Sequence, residues 1–412
     1  MPASTTVASG GRAVLAVPAF RNYEIARFFS VIALEMQSVA VGWQVYDITK
    51  RPLALGFTGL AQFVPGVLLF LVSGHAADRI DRRRLLTGCY GGFAICSALL
   101  LGISVSGTRQ VNLIYAVLIL VGVVRSFNMP VSRAILPQLV PMEIFTSAVA
   151  WHSIIFQSAT ILGPAVGGVI YAAFRGPSAV YTAAMASAML AGIATLRIRM
   201  TQGASSREPI SWSTVLAGLR YIGREKVILG SISLDLVAVL LGGAVALLPV
   251  YAREILRTGP WGLGILRSAS SIGAAGMAIL LAYRPLRRRS GVTMLWCVAG
   301  FGLFTVIFGL SRNFALSVVS LILVGATDMV SVVIRATLVQ VKTPNEMRGR
   351  VNAVDMVFIG ASNQLGEFES GATAQWFGAV PAVILGGIGA IVVTALWAWW
   401  FPDLRNADRL VE

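Results

Sequence analysis

Apolar stretches of about 20 residues recur twelve times along this 412-residue chain, separated by short polar gaps. At roughly 1.5 Å of helical rise per residue, each is long enough to cross a hydrocarbon core of about 30 Å. With 56% hydrophobic and 12% charged residues, the chain has too little polar surface to coat a soluble fold. In lipid, backbone groups must be satisfied within the segment, so the sequence predicts an all-α polytopic membrane protein.

The spans are expected at roughly 24–46, 53–74, 85–106, 112–136, 147–172, 178–197, 226–250, 262–283, 292–311, 314–338, 351–373 and 378–401. The longest polar gap follows the sixth span and holds an amphipathic stretch from Trp212 to Arg224. It divides the chain into an N-terminal six-helix half (20–198), a cytoplasmic linker (199–225) and a C-terminal six-helix half (226–402).

The formal net charge of +15 raises the question of nucleic acid, but the arginines are spread through short gaps between spans. With the N-terminus inside, about 24 of the 33 Lys and Arg fall on the cytoplasmic side and about 8 on the other, which predicts both termini cytoplasmic. Arg79, Arg82, Arg83 and Arg84 occupy the loop after span two, and Arg284, Arg287, Arg288 and Arg289 the loop after span eight, as a duplicated unit would place them. The first span lacks a clear cleavage site and reads as a retained helix. Cys89, Cys96 and Cys297 lie inside spans and form no disulfide framework.

Several short motifs carry more specific information. The loop after span two reads Gly74-His75-Ala76-Ala77-Asp78-Arg79-Ile80-Asp81-Arg82-Arg83-Arg84. Span five holds Gly163-Pro164-Ala165-Val166-Gly167-Gly168, and Leu136-Pro137-Gln138-Leu139-Val140-Pro141 and Ala246-Leu247-Leu248-Pro249-Val250-Tyr251 flank other spans. The first resembles the loop signature of the major facilitator superfamily, with Asp81 where that family usually has glycine. The second resembles the Gly-Pro-x-x-Gly-Gly motif of its proton-coupled exporters. Nearly the whole chain is similar to the drug and siderophore exporter branch, with the enterobactin exporter and macrolide efflux proteins.

The resemblance implies twelve helices in two pseudo-symmetric halves, a bacterial inner-membrane location and action as a monomer. It makes Gly74, Asp78, Arg79, Arg82 and Arg83 a cytoplasmic gating loop. Gly74 is expected to let two helices approach closely, and Asp78 to face a helix N-terminus as a latch. Gly163, Pro164, Gly167 and Gly168 are expected to pack span five against a helix of the other half, with Pro164 bending it.

Charges within the spans are the candidate cavity residues, because an ionised group in hydrocarbon normally faces a wet interior and a partner. Glu35 in span one and Arg125 in span four lie at similar depth, as do Asp235 in span seven and Asp328 in span ten. The expectation is one site from Glu35 and Arg125 and a second from Asp235 and Asp328, with protonation coupled to opening. Structural roles, a fixed salt bridge in the first pair or helix-break caps in the second, remain open. Glu367 and Glu369 project to different faces of span eleven, and Glu367 is the candidate there. Asp355, one turn into that span, is placed at the interface.

His75 and His152 have no ligand-spaced partner, so no metal is expected, and no phosphate-cradling glycine loop is present. No nucleophile and base pair on one span suggests an enzyme. The reading is a proton-coupled exporter of amphipathic small molecules, needing no cofactor beyond a proton gradient and in contact with membrane lipids. A solute symporter or uniporter and a lysophospholipid or other lipid transporter are the alternatives.

Overall fold

The computed structural model describes residues 10–198, 212–284 and 289–407. Among these the regular elements are helices, and ten of them are long and apolar enough to cross a membrane. In chain order, α1 (Gly10–Ala16) precedes the first long helix, α2 (Pro18–Thr49). The second span is two helices, α3 (Pro52–Leu68) and α4 (Phe70–Arg79), interrupted at Leu69 four residues after Pro65. Proline withholds a backbone donor, which fits a break here.

Four long helices follow: α5 (Arg82–Val105), α6 (Val111–Leu139), α7 (Phe145–Ala173) and α8 (Pro177–Leu196). The amphipathic stretch is helix α9 (Trp212–Arg224), as its spacing of apolar residues predicts. Span seven starts as α10 (Lys226–Leu241), then breaks at Gly242-Gly243 into a 3₁₀ turn, the short α11 (Leu248–Val250) and a π turn over Tyr251–Ile255. The remaining helices are α12 (Gly259–Tyr283), α13 (Ser290–Leu310), α14 (Phe314–Lys342), α15 (Asn345–Phe377), α16 (Ala379–Trp400) and the short α17 (Pro402–Arg405). Helix α15 has the length to span but carries more polar residues than the ten, Asn363, Gln364, Glu367 and Glu369 among them.

The described residues form two compact units: 10–40 with 64–198, and 41–63 with 212–284 and 289–407. The grouping departs from a simple division into chain halves, because the hairpin 41–63 packs with C-terminal elements. Glycine permits this: a Cβ on Gly42 would lie 3.3 Å from Pro249, and one on Gly56 only 2.9 Å from the Phe368 backbone.

Inside the first unit α5 packs on α8 and α6. Inside the second, α12 packs on α14, and Gly273 and Gly325 put each helix against the other's backbone at Ile322 and Ser270. Small residues drive such membrane contacts because close approach maximises dispersion where no water remains to be expelled. Leu234, Met294, Val298, Ile334 and Leu338 make the buried apolar core of this unit. Helix α9 docks on α15, where Gly218 leaves room for the Arg350 carbonyl, and its Tyr221 hydroxyl donates to the Lys342 carbonyl at 2.9 Å. Burial and the Glu225 carboxylate push the Tyr221 phenol up, so it remains a donor at neutral pH.

Candidate transport site

The densest group of membrane charges lies in the second unit. Asp328, Ser331 and Arg335 follow one another on α14 at intervals of three and four residues, which puts them on one helix face. That face meets Asp235 of α10 and Asp355 of α15. The Arg335 guanidinium, 3% exposed, donates through Nη1 to Asp355 Oδ1, and its Nε lies 3.5 Å from Asp235 Oδ2. Ser331 Oγ donates to the other oxygen of Asp235 at 3.4 Å. Asp328 lies one turn before Ser331 on this same face. Two carboxylates thus clasp one guanidinium, with Asp328 on the same face of α14.

Asp328, expected to form a site with Asp235, lies on the α14 face that meets it through Ser331, and two further members of the group were not foreseen. Asp355, placed at the interface by its position in span eleven, belongs to the cluster through its pair with Arg335. Arg335 was legible as a lone arginine seven residues beyond Asp328 in an otherwise apolar run, a spacing that returns to the same helix face.

In the first unit the outcome is different. Glu35 is half-buried and Arg125 is exposed, and no ion pair joins them among the described residues. Matching depth does not fix azimuth, and Glu35 turns toward α7. A Cβ on Gly163 would lie 2.5 Å from Glu35 Cβ, and one on Gly167 would lie 2.9 Å from Met36 Cα. Gly163 and Gly167 therefore seat α7 on α2 within their own unit. Gly168 and Pro164 are buried on the same helix.

The two glutamates of α15 separate as helical geometry requires. Glu367 faces α3, where a Cβ on Gly59 would lie 2.6 Å from its Oε2. Glu369 stays within its own helix, accepting from Thr373 Oγ1 at 2.7 Å.

The loop between α4 and α5 is held mainly by carbonyl contacts. Arg82 donates to the Ala134 carbonyl at 3.1 Å and Arg83 to the Leu196 carbonyl, while Arg79 is exposed. Asp81 caps α5 by accepting the Arg84 N–H at 2.8 Å, so the departure from the usual glycine adds a helix cap. Gly74 makes no close approach: a Cβ there would meet nothing within 4 Å, contrary to expectation. The Asp78 side chain, like residues 199–211 and 285–288 with Arg287 and Arg288, lies outside the described residues.

At the far end of α2 a polar rim joins the hairpin to Tyr251–Ile255. Arg253 pairs with Asp47 at 2.6 Å and lies 5.5 Å over the Trp43 ring, and the Tyr46 hydroxyl donates to Glu254. Among the described residues no group of His, Cys, Asp and Glu is arranged to hold a metal.

A helical bundle of this kind, with paired charges inside its spans, defines a membrane transporter of the major facilitator fold. The profile of the Transmembrane secretion effector family matches residues 9–410, and the chain belongs to that family of the superfamily. It is 26% identical over 382 residues to "Enterobactin exporter EntS" of Shigella boydii serotype 18, covering 91% of this chain and 86% of that one. The Escherichia coli O139:H28 exporter of the same name gives the same identity and coverage. Among solved structures, the nucleoside transporter NupG aligns with a TM-score of 0.71 at 14% identity, covering 93% of this chain and 99% of that chain. A bacterial homologue of the human lysosomal transporter Spinster aligns with a TM-score of 0.67 at 12% identity, covering 96% and 98%. At these identities the two structures speak to the fold.

Proposed function

We propose that the protein is a proton-driven exporter of amphipathic small molecules, siderophores among them, working by alternating access. The observation that carries this reading is Arg335 clasped by Asp235 and Asp355, with Asp328 on the same face of α14. Ionised together, these four groups hold more negative than positive charge in a place where unbalanced charge is costly. A proton arriving at Asp328 or Asp235 relieves that excess and loosens the hold on Arg335, so proton occupancy and the packing of α10, α14 and α15 change together.

The relatives named as enterobactin exporters support export and siderophores as a substrate class, and the resemblance of residues 163–168 to the motif of proton-coupled exporters points the same way. The arginine bias supports both termini in the cytoplasm of a bacterial inner membrane. No cofactor is needed beyond the proton gradient, and a monomer contains the whole cluster.

The test is proton movement in reconstituted vesicles with an acid interior, as siderophores, antibiotics or lipophilic cations are added. One class should collapse the gradient through the wild type, and Asp328→Asn should abolish the effect. A labelled compound that crosses with no proton movement in the wild type would replace antiport by facilitated transport.

A further inference from the structure

Glu24 of α2 is 2% exposed, and one of its oxygens, Oε2, has no hydrogen-bond partner. Its other oxygen, Oε1, lies 2.7 Å from Nδ1 of His152 on α7. A carboxylate this deeply enclosed and half satisfied is expensive unless it gains a proton or a cation. Among the described residues no guanidinium pairs with it. Arg27, one turn along α2, donates instead to the His152 carbonyl at 2.8 Å and lies 4.8 Å over the Phe156 ring.

The imidazole is positioned from two sides. The Tyr23 ring stacks on it at 5.9 Å between centroids and 10° between planes, and Tyr23 is itself anchored by donating to the Ser132 carbonyl at 2.8 Å. The His152 side chain keeps 19% of its surface accessible, against 3% for Glu24. Its Nε2 is not among the buried unpaired atoms and makes no hydrogen bond among the described residues. One edge of the ring thus touches the enclosed acid while the other reaches the accessible side. Among the described residues the titratable neighbours are Arg27, Tyr23 and Tyr90 of α5.

The contact continues a register already described. From Glu24 to Glu35 on α2, and from His152 to Gly163 on α7, the step is the same number of residues, about three helical turns, so both contacts lie on one seam of two parallel helices.

We propose that Glu24 and His152 form a proton-binding dyad at one end of the α2/α7 seam, separate from the Asp235/Arg335/Asp355 cluster. Nε2 takes a proton from hydronium, whose O–H bond breaks to leave water, while Nδ1 passes its own proton to Glu24 Oε1. An N–H bond forms at Nε2, one breaks at Nδ1 and an O–H bond forms on the acid, so the dyad moves from one negative charge to neutral. Its use in transport rests on the proton-driven reading, but its protonation does not.

Full-length protein in lipid nanodiscs, without substrate or gradient, tests this by infrared difference spectroscopy between about pH 8 and pH 5. A carboxylic C=O band should appear on acidification, vanish in Glu24→Gln and shift in His152→Gln. An unchanged band in Glu24→Gln, or one indifferent to His152→Gln, overturns the dyad. Should Glu24→Gln fail to fold, nitrogen-labelled histidine in the wild type serves instead. The chain has 2 histidines, so His75→Asn assigns their signals. His152 should carry its proton on Nδ1 at the high-pH end, and a bare Nδ1 there overturns the proposal. If these signals appear while the vesicle assay shows no proton coupling, the dyad stands and the proton-driven reading falls.

Discussion

Arg125 and Arg335 are both arginines within apolar helices, one in each unit, yet one is exposed and unpaired with Glu35 while the other is clasped by two carboxylates. Arg335 shares a helix face with Asp328 and Ser331 and meets acids from two neighbouring helices. Glu35 instead turns toward α7, where Gly163 leaves space for its Cβ. Depth in the membrane selects which charges could meet, and azimuth selects which do. In the second unit, acid and base were brought into one cluster; in the first, the acid was placed on a helix seam and the base left accessible.

The comparison is broken most directly by removing the second unit's cation. Arg335→Met should leave Asp235 and Asp355 facing each other unneutralised, at a cost of about 3–5 kcal/mol, read as lost folded yield or a lower melting temperature. Adding Asp235→Asn and Asp355→Asn should recover most of it. Arg125→Met should shift the same melt by no more than about 0.5 kcal/mol, since an exposed side chain with no ion pair is being replaced. Equal destabilisation by the two arginine variants would erase the distinction.

Gly163→Ala places a methyl against Glu35, an overlap worth about 1–3 kcal/mol, and should depress both stability and transport. Asp81→Ala removes the cap of α5 and should cost about 1 kcal/mol. Gly74→Ala adds a methyl to open space within a helix and should be neutral or stabilising by up to about 1 kcal/mol. If Gly74→Ala disrupted folding as much as Gly163→Ala, the assignment of close packing to one glycine and not the other would be wrong.

Most of the fold was legible because length and hydropathy are properties of local sequence. The helices reproduce the expected spans to within a few residues at most ends, and the breaks at Leu69 and Gly242 fall near prolines or glycines. The placement of 41–63 was not legible, because it depends on which surfaces of Gly42 and Gly56 find partners far away in the chain. The site was legible in part. Asp235 and Asp328 could be matched by depth, but Asp355 needed the docking of α15 on α10, and the pairing of Glu24 with His152 needed the α2/α7 register.

The central claim is that Arg335 clasped by Asp235 and Asp355, with Asp328 on the same face of α14, ties proton binding to transport. It is tested most directly by comparing two fluxes of one labelled substrate in vesicles, exchange at equilibrium and accumulation against its gradient. Asp328→Asn should retain exchange while losing proton-driven accumulation. Accumulation at the wild-type level in that variant, with the proton gradient still consumed, would contradict the account.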